Sequence, residues 1–294
     1  MLTASSLARH CSGAPRVNLS SIVAPDRLYS LAVGWGARRT VPRSLRGPIY
    51  TVFARAVGAR LDEVAGPLDA YPTFGAFFAR RLRAQARPLA GGDDVAVSPC
   101  DGLVTAAGRA TDGRLVQAKG RRYALADLLA DREVAAAVAG GAYATIYLSP
   151  RDYHRVHAPC DVELEGYTHV PGARLPVSPR WADCVPNLYA RNERLVVRLR
   201  SAAGTIAIVL VGAAAVGHLV VVAGDREQVA AGSVQCTPPI ACRRGDELAY
   251  FGLGSTVVVV FPPGAAELCV RAGDRIRFGE ALARLRAERR REAS

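Results

Sequence analysis

From residue 91 onward, short apolar runs alternate with turn residues. Runs rich in valine, isoleucine, leucine and tyrosine are separated by glycine, proline and aspartate, which is typical of strands joined by turns. The predicted strands are residues 95–97, 103–107, 115–117, 143–148, 161–169, 195–199, 206–211, 218–223, 247–251, 255–261 and 275–278. A helix is predicted around residues 125–139. This pattern favours a mainly antiparallel β core.

The segment before residue 91 has the period of helices instead. Asp26 is placed to cap a first helix that runs towards residue 38, and Pro42 to start a second one over residues 45–61. Thr73 is placed to cap a third, which carries phenylalanines on one side and arginines 80, 81 and 83 on the other. We therefore predict an α+β fold, in which a helical segment, residues 1–90, packs on a β-rich domain, residues 91–294.

One apolar stretch is long enough to cross a bilayer. Residues 205–224 are apolar except for Thr205 and His218. Gly212 and Gly217 interrupt the stretch, however, and its remaining residues are rich in valine and isoleucine. Two buried strands joined through small residues explain it better than a transmembrane helix.

The positive charge of the chain lies at its two ends. The formal net charge of the 294 residues is +12. Residues 1–90 hold 13 arginines against four carboxylates, and residues 270–294 hold eight against four, so the part between them is nearly neutral. Such a balance is typical of proteins that bind nucleic acid or an anionic membrane. No zinc-finger, RRM-like or homeodomain-like pattern is present, and the seven cysteines form no CxxC pair that would predict a metal site.

The N-terminal arginines are interleaved with large apolar residues. This mixture suits a helix that lies in a membrane surface, and we expect an anionic membrane as a partner rather than nucleic acid. Arginines on ordinary solvated helix faces are the alternative.

Three short segments supply the parts of an activated serine. They are Gly254-Ser255-Thr256, the pair Asp101-Gly102, and the string from Leu148 to His157 that reads Leu-Ser-Pro-Arg-Asp-Tyr-His-Arg-Val-His. An acid, an imidazole and a hydroxyl are the groups needed to activate a serine as a nucleophile.

The string contains two imidazoles and a second carboxylate. His154 and His157 would share one face of a helical turn but point to opposite faces of a strand, so their spacing does not choose between them. Asp152 is a rival acid, although its neighbours Arg151 and Arg155 favour a structural ion pair.

Taken together, these segments resemble the phosphatidylserine decarboxylase family of the bacterial, membrane-associated type. The resemblance covers most of the chain. Further matching stretches are Gln117-Ala118-Lys119-Gly120, residues 185–194 and Leu210-Val211-Gly212-Ala213. Cys100 departs from the small residue expected before the aspartate.

The resemblance implies a precursor that cuts itself between Gly254 and Ser255. It would give a β chain, residues 1–254, and an α chain, residues 255–294, whose serine becomes a pyruvoyl group. Asp101 and His157 would act as acid and relay histidine towards Ser255, and His154 would be free to serve the later decarboxylation.

The resemblance also implies the substrate and the place of action. The pyruvoyl carbonyl of residue 255 would form a Schiff base with phosphatidylserine, and phosphatidylethanolamine would be the product, with no metal or diffusible cofactor. The enzyme would be peripheral, on the cytoplasmic side of the cell membrane. A homodimer is compatible with this reading.

Three other functions are the alternatives. A pyruvoyl decarboxylase of another amino-acid substrate would share the chemistry and differ in its pocket. A serine hydrolase would use the trio on an external substrate, but Ser255 lacks the G-x-S-x-G elbow. A non-catalytic membrane-binding β module would not need the trio.

Overall fold

The computed structural model describes residues 36–118, 120–213, 219–223, 226–251 and 255–286. Its helices are α1 (Arg43–Val57), α2 (Phe74–Phe78), α3 (Leu125–Leu129), α4 (Arg132–Val138), α5 (Pro179–Cys184) and α6 (Leu188–Arg191), with a 3-10 turn at Leu68–Ala70. Its strands are β1 (Val95–Val97), β2 (Gly102–Arg109), β3 (Arg114–Ala118), β4 (Arg121–Ala124), β5 (Ala142–Leu148), β6 (Arg155–His157), β7 (Val162–Val170), β8 (Arg194–Ser201), β9 (Gly204–Gly212), β10 (Leu219–Ala223), β11 (Arg226–Val229), β12 (Ser233–Cys242), β13 (Glu247–Phe251), β14 (Ser255–Val260), β15 (Ala266–Leu268), β16 (Arg275–Ile276) and β17 (Ala281–Leu285).

An eight-stranded antiparallel sheet forms the centre of the molecule. Its order is β12-β7-β8-β9-β14-β5-β2-β16. Strand β14 lies between β9 and β5, and its first residue, Ser255, pairs with Gly212 on one side and Leu148 on the other. Ser255 therefore sits at the end of a central strand, where it is held by neighbours on both sides.

Strand β14 has no polar face because both sides of the sheet are covered. Val257 and Val259 pack into one hydrophobic cluster, and Val258 and Val260 pack into a second cluster on the other side. All six residues of the strand are buried. A continuous valine run is the pattern expected for a strand in this position.

A four-stranded antiparallel sheet lies beside the start of β14. Its order is β11-β10-β13-β6. Strand β13 precedes β14 along the chain, and β5 is joined to β6 by residues 149–154. Both connections leave the large sheet at the end where Ser255 lies, so the string from Leu148 to His157 runs past this serine.

The N-terminal helices pack through aromatic side chains. The rings of Tyr50 in α1 and Phe77 in α2 stack with centroids 4.5 Å apart, and Phe53 meets Phe74 edge-on at 4.7 Å. Thr73 caps α2 by accepting a hydrogen bond from the backbone N–H of Ala76. The N-terminal helical segment thus joins the core through a small aromatic cluster.

The α+β class and the mainly antiparallel core are confirmed. The first predicted helix lies largely outside the described residues, and the domain boundary near residue 90 stays a prediction. The third predicted helix is shorter than expected, because α2 ends at Phe78. Arg80 follows that end and is only 3% exposed, so it does not lie on a solvated helix face with Arg81 and Arg83.

Two further elements differ from or refine the prediction. The helix predicted at residues 125–139 is broken into α3 and α4, because Ala130 has a φ of +50° and Asp131 starts a new helix as its N-cap. The apolar stretch at 205–224 forms β9 and β10, two strands in different sheets. None of the helices in the described residues is long and apolar enough to cross a membrane.

Candidate active site

Ser255 is buried where the two sheets meet. Its residue is 1% exposed, and its backbone is fixed by pairing with Gly212 and Leu148. Gly254, on the other side of the predicted cleavage point, lies outside the described residues. The geometry of the site is therefore given by what surrounds the serine side chain.

His154 is the imidazole that contacts this serine. Its Nδ1 lies 3.4 Å from Ser255 Oγ, and its Nε2 lies 3.0 Å from the carbonyl oxygen of Ser149. A carbonyl only accepts hydrogen bonds, so Nε2 carries the proton and the lone pair of Nδ1 faces the hydroxyl. The contact is long for a hydrogen bond, as such contacts often are before a reaction.

The surroundings of His154 keep it neutral. Complete burial, and then the charge of Arg80, lower the pKa of His154 to about 3, although the hydrogen bond to Ser149 acts in the opposite sense. The ring of Phe78 lies over the imidazole, with centroids 4.2 Å apart. A neutral ring with a free lone pair is the form that accepts a proton.

His157 is held in a different way. Its Nδ1 donates to the carbonyl oxygen of Gly245 at 2.8 Å, and its Nε2 accepts from the Tyr153 hydroxyl at 3.0 Å. The ring of Phe278 stacks on it at 3.8 Å. Burial is the main cause that lowers the pKa of His157 to about 4. This imidazole is also neutral, and both of its nitrogens have partners.

Asp101 lies near His157 but is bonded to other groups. It accepts two hydrogen bonds from Arg87, at 3.1 and 2.7 Å, and one from the backbone N–H of Phe278 at 2.8 Å. The neighbouring Pro99 carbonyl accepts from the backbone N–H of His157. Phe278 thus joins the two groups, because its N–H binds the carboxylate while its ring covers the imidazole.

The predicted residues come together in one region, but not as one hydrogen-bonded chain. The described contacts link Ser255 to His154, and they link His157 and Asp101 only through Phe278. The histidine in direct contact with Ser255 is His154, for which the family resemblance implies a role in the later decarboxylation rather than in self-cleavage. The separate roles of His154, His157 and Asp101 stay predictions.

Asp152 has the structural role that was favoured for it: Arg151 lies 3.9 Å away as predicted, and Arg275 is a closer ion-pair partner at 2.9 Å. It accepts from the N–H and the hydroxyl of Ser149, at 2.8 and 2.6 Å, and from Arg275 at 2.9 Å. Arg155 forms its close ion pair with Glu247 rather than with Asp152. Asp152 therefore fixes the turn whose Ser149 carbonyl orients His154.

Sequence reasoning did not single out several residues of this site. Ser149 and Tyr153 stand inside the matched string, so their position was a usable signal. Phe78, Arg87 and Phe278 are far away along the chain and have no local pattern that marks them. In the part of the chain that the structure describes, no group of three or more His, Cys, Asp or Glu side chains is arranged to hold a metal ion.

Comparisons with known proteins point to the same family as the sequence motifs. The family model described as phosphatidylserine decarboxylase matches residues 74–284. A phosphatidylserine decarboxylase proenzyme of Anaeromyxobacter sp. (strain K) is 44% identical over 266 residues, which are 88% of this chain and 94% of that protein. Proteins of the same name from Acidovorax ebreus (strain TPSY) and Myxococcus xanthus (strain DK1622) are 42% identical, over 79% of this chain and 84% of theirs, and 38% identical, over 86% and 95%.

The buried neutral histidines predict a loss of stability in acid. A histidine in the unfolded chain has a pKa of about 6.5 and is protonated below this pH. In the folded protein His157 is protonated only near pH 4 and His154 only near pH 3, so acid favours the unfolded chain. Stability should be unaffected above pH 7, fall between pH 6.5 and 4, and lose nothing further to these groups below pH 3. We expect His157→Gln to flatten the fall of the melting temperature between pH 7 and 4.5. Parallel curves for the two proteins would contradict the burial of His157 as a neutral imidazole.

Proposed function

The chain belongs to the phosphatidylserine decarboxylase family, and we propose that it decarboxylates phosphatidylserine by means of a pyruvoyl group made from its own Ser255. The observation that carries the proposal is the contact between the Ser255 hydroxyl and the lone pair of a neutral, buried imidazole. Such an imidazole can accept a proton beside residue 255 and return it to a substrate that reacts there.

Cleavage in this proposal is an internal attack rather than a hydrolysis. Ser255 Oγ attacks the carbonyl carbon of Gly254, the C–N bond breaks, and the upstream chain is transferred from nitrogen to oxygen as an ester. Loss of the Ser255 α-proton then breaks the Cβ–Oγ bond. This step releases a carboxylate on Gly254 and leaves dehydroalanine, which water converts to ammonia and the pyruvoyl group.

The position of Ser255 in the sheet suits the group that this reaction would leave. Residues 255–260 pair on both sides with β5 and β9, so the new N-terminus stays anchored after the chain is cut. The strand behind residue 255 is buried, so the anchored end has little freedom to shift. The pyruvoyl group supplies a carbonyl that takes up the electron pair released when carbon dioxide leaves.

We assign the two imidazoles to two different steps. The family resemblance favours Asp101 and His157 for self-cleavage. The position of His154, with the Nδ1 lone pair directed at the Ser255 side chain, supports its action where the substrate reacts. It would take a proton from the substrate ammonium as the Schiff base forms and return that proton to the carbon after carbon dioxide has left. For His157 to serve Ser255, its Nε2 would have to give up the Tyr153 hydroxyl or act through it.

The competing functions are less well supported by the site. A serine hydrolase would carry its nucleophile on a G-x-S-x-G elbow between a strand and a helix, whereas Ser255 is the first residue of strand β14. A pyruvoyl enzyme for a soluble amino acid would differ in its need for a lipid surface. Activity on liposomes, compared with activity on free serine, separates these two.

A face of α1 supports action at a membrane surface. Leu45, Ile49 and Val52 are 50%, 42% and 67% exposed, and their spacing places them on one side of the helix. Tyr50 and Ala54 are buried on the opposite side. An exposed apolar stripe on a helix with exposed arginines is typical of peripheral attachment to anionic lipid, which we propose for the cytoplasmic side of the cell membrane.

The first test concerns processing. Wild-type protein should separate into two chains, residues 1–254 and 255–294, of which the second has a blocked N-terminus. Ser255→Ala should remain a single chain and lose decarboxylase activity by at least a thousandfold, because it can form no pyruvoyl group. Denaturing gels and intact mass measure the first result, and carbon dioxide release the second. Active protein that proves to be one uncut chain would refute the proposal.

The second test separates the two histidines. His157→Ala and Asp101→Asn should slow cleavage by roughly a hundredfold, which is the usual weight of a general base. His154→Ala should still be cut, at least in part, and the cut protein should decarboxylate poorly. Gel mobility and carbon dioxide release are measured on the same samples. If His154→Ala remained uncut while His157→Ala were cut normally, His154 would be the histidine of self-cleavage and the proposed assignment would be wrong.

The third test concerns the membrane. Full-length protein should float with anionic liposomes and be released in part as salt rises, because pairing of exposed charges is screened over about 8 Å at physiological ionic strength. Replacing Leu45, Ile49 and Val52 together by glutamine should remove the salt-resistant fraction. Ser44→Gln, at an exposed position on the same helix but off the stripe, is the matched control. A triple variant that floats like wild type at high salt would show that the stripe does not enter lipid.

A further inference from the structure

Arg80 is a buried cation without an acidic partner. It is 3% exposed, and no carboxylate of the described residues lies within ion-pair distance of it. Its Nη1 and Nη2 donate weak hydrogen bonds to the carbonyl oxygens of Phe78 and Arg151, at 3.4 and 3.2 Å, and its buried Nε has no partner. Burying an unpaired charge costs free energy, so such a group in a folded protein commonly has a ligand.

Arg80 also lines a cavity of about 340 Å³ beside the candidate active site. Asp101 and Tyr153 line the same cavity, and Tyr153 precedes His154 and bonds to His157. The charge of Arg80 lies near enough to His154 to affect its titration. Arg80 therefore lines the cavity and also lies close enough to His154 for its charge to act on that imidazole.

The remaining charges of the cavity attract an anion towards Arg80. Six arginines and four carboxylates line it. Arg87 is paired with Glu63 and Asp101, and Arg275 with Asp152, so these carboxylates are already neutralised. Arg60, Arg151 and Arg275 have side chains that are 52%, 45% and 50% exposed, whereas Arg80 is buried. An excess of positive charge in a concave site draws in anions, and the buried arginine is where one would be held most tightly.

We infer that Arg80 binds the phosphodiester of the substrate headgroup and so fixes the serine group beside residue 255. This inference rests on the proposed function. The planar guanidinium of arginine fits a phosphate through paired hydrogen bonds, and the two Nη groups of Arg80, which now donate only to backbone carbonyls at 3.4 and 3.2 Å, would supply them.

The headgroup also carries a carboxylate, but this is the weaker candidate for Arg80. The carboxylate gives up its negative charge as carbon dioxide leaves. A cation that held it would stabilise the ground state more than the transition state and slow the reaction. The phosphodiester is unchanged in the reaction, so binding it orients the substrate without that cost.

The experiment measures headgroup binding without needing cleavage. Ser255→Ala protein is titrated with soluble glycerophosphoserine, glycerophosphoethanolamine and L-serine, and affinity is read from the rise of the melting temperature and from calorimetry. We expect both glycerophospho compounds to bind, and Arg80→Gln in this background to weaken both by about tenfold or more, since a hydrogen bond to a charged group is worth at least this factor. Arg80→Lys should restore part of the affinity. Arg83→Gln, an exposed position three residues along, is the matched control and should change nothing.

Other results would overturn the inference. If Arg80→Gln weakened glycerophosphoserine alone, Arg80 would bind the carboxylate. If neither compound bound, or both bound equally to the Arg80 and Gln forms, the cavity would not be the headgroup site. Should Arg80→Gln fail to fold, the affinities of Arg80→Lys and of the Arg80 parent for the two glycerophospho compounds are compared instead. Lysine keeps the positive charge but lacks the paired N–H donors of the guanidinium, so weaker binding by Arg80→Lys would support the inference and equal binding would contradict it. Failure of the proposed function is seen separately, as wild-type protein in which residue 255 never becomes a pyruvoyl group.

Discussion

The pairing of β14 with β5 and β9 is the constraint on which the rest of the site depends. It holds Ser255 at the end of a central strand, next to Leu148, from which the loop with both histidines departs. The valines behind Ser255 lie in hydrophobic clusters on both faces of the sheet, so the strand has little freedom to shift. The self-cleavage that we propose would need this kind of anchor, because the new chain end would have to remain where the substrate reacts.

Electrostatics divides the site into a neutral part and a positive part. His154 and His157 are buried with depressed pKa values and act as neutral rings. Arg80 and the arginines of the adjoining cavity supply positive charge a short distance away. Such a division suits a substrate whose amine and carboxyl group react while its phosphate does not. The same charge that would attract the phosphate also keeps a proton off His154, so substrate binding and the state of the base are coupled.

The sequence was sufficient for most of the fold and for part of the site. Strands such as β5, β9 and β14 have apolar runs and turn residues that leave little choice, and the matched strings named Asp101, both histidines and Ser255. The edge strand β12 was missed because half of its residues are exposed and two adjacent prolines interrupt its apolar pattern. Contacts such as Phe78 on His154, or Asp101 with Arg87, join residues with no local pattern in common. Only tertiary packing brings them together. Tertiary packing also buries Arg80, which the sequence pattern placed on the exposed side of a helix together with Arg81 and Arg83.

Every later step of the proposed function depends on the attack of Ser255 on its own chain. The most direct measurement follows the oxygen atoms when newly made precursor processes itself in water enriched in oxygen-18. Attack by Ser255 Oγ places the serine oxygen in the new carboxylate, so the peptide that ends at Gly254 should have its ordinary mass. Hydrolysis by a water molecule would place a solvent oxygen there. A peptide heavier by one oxygen-18 would contradict the account, whatever the activity of the cut protein.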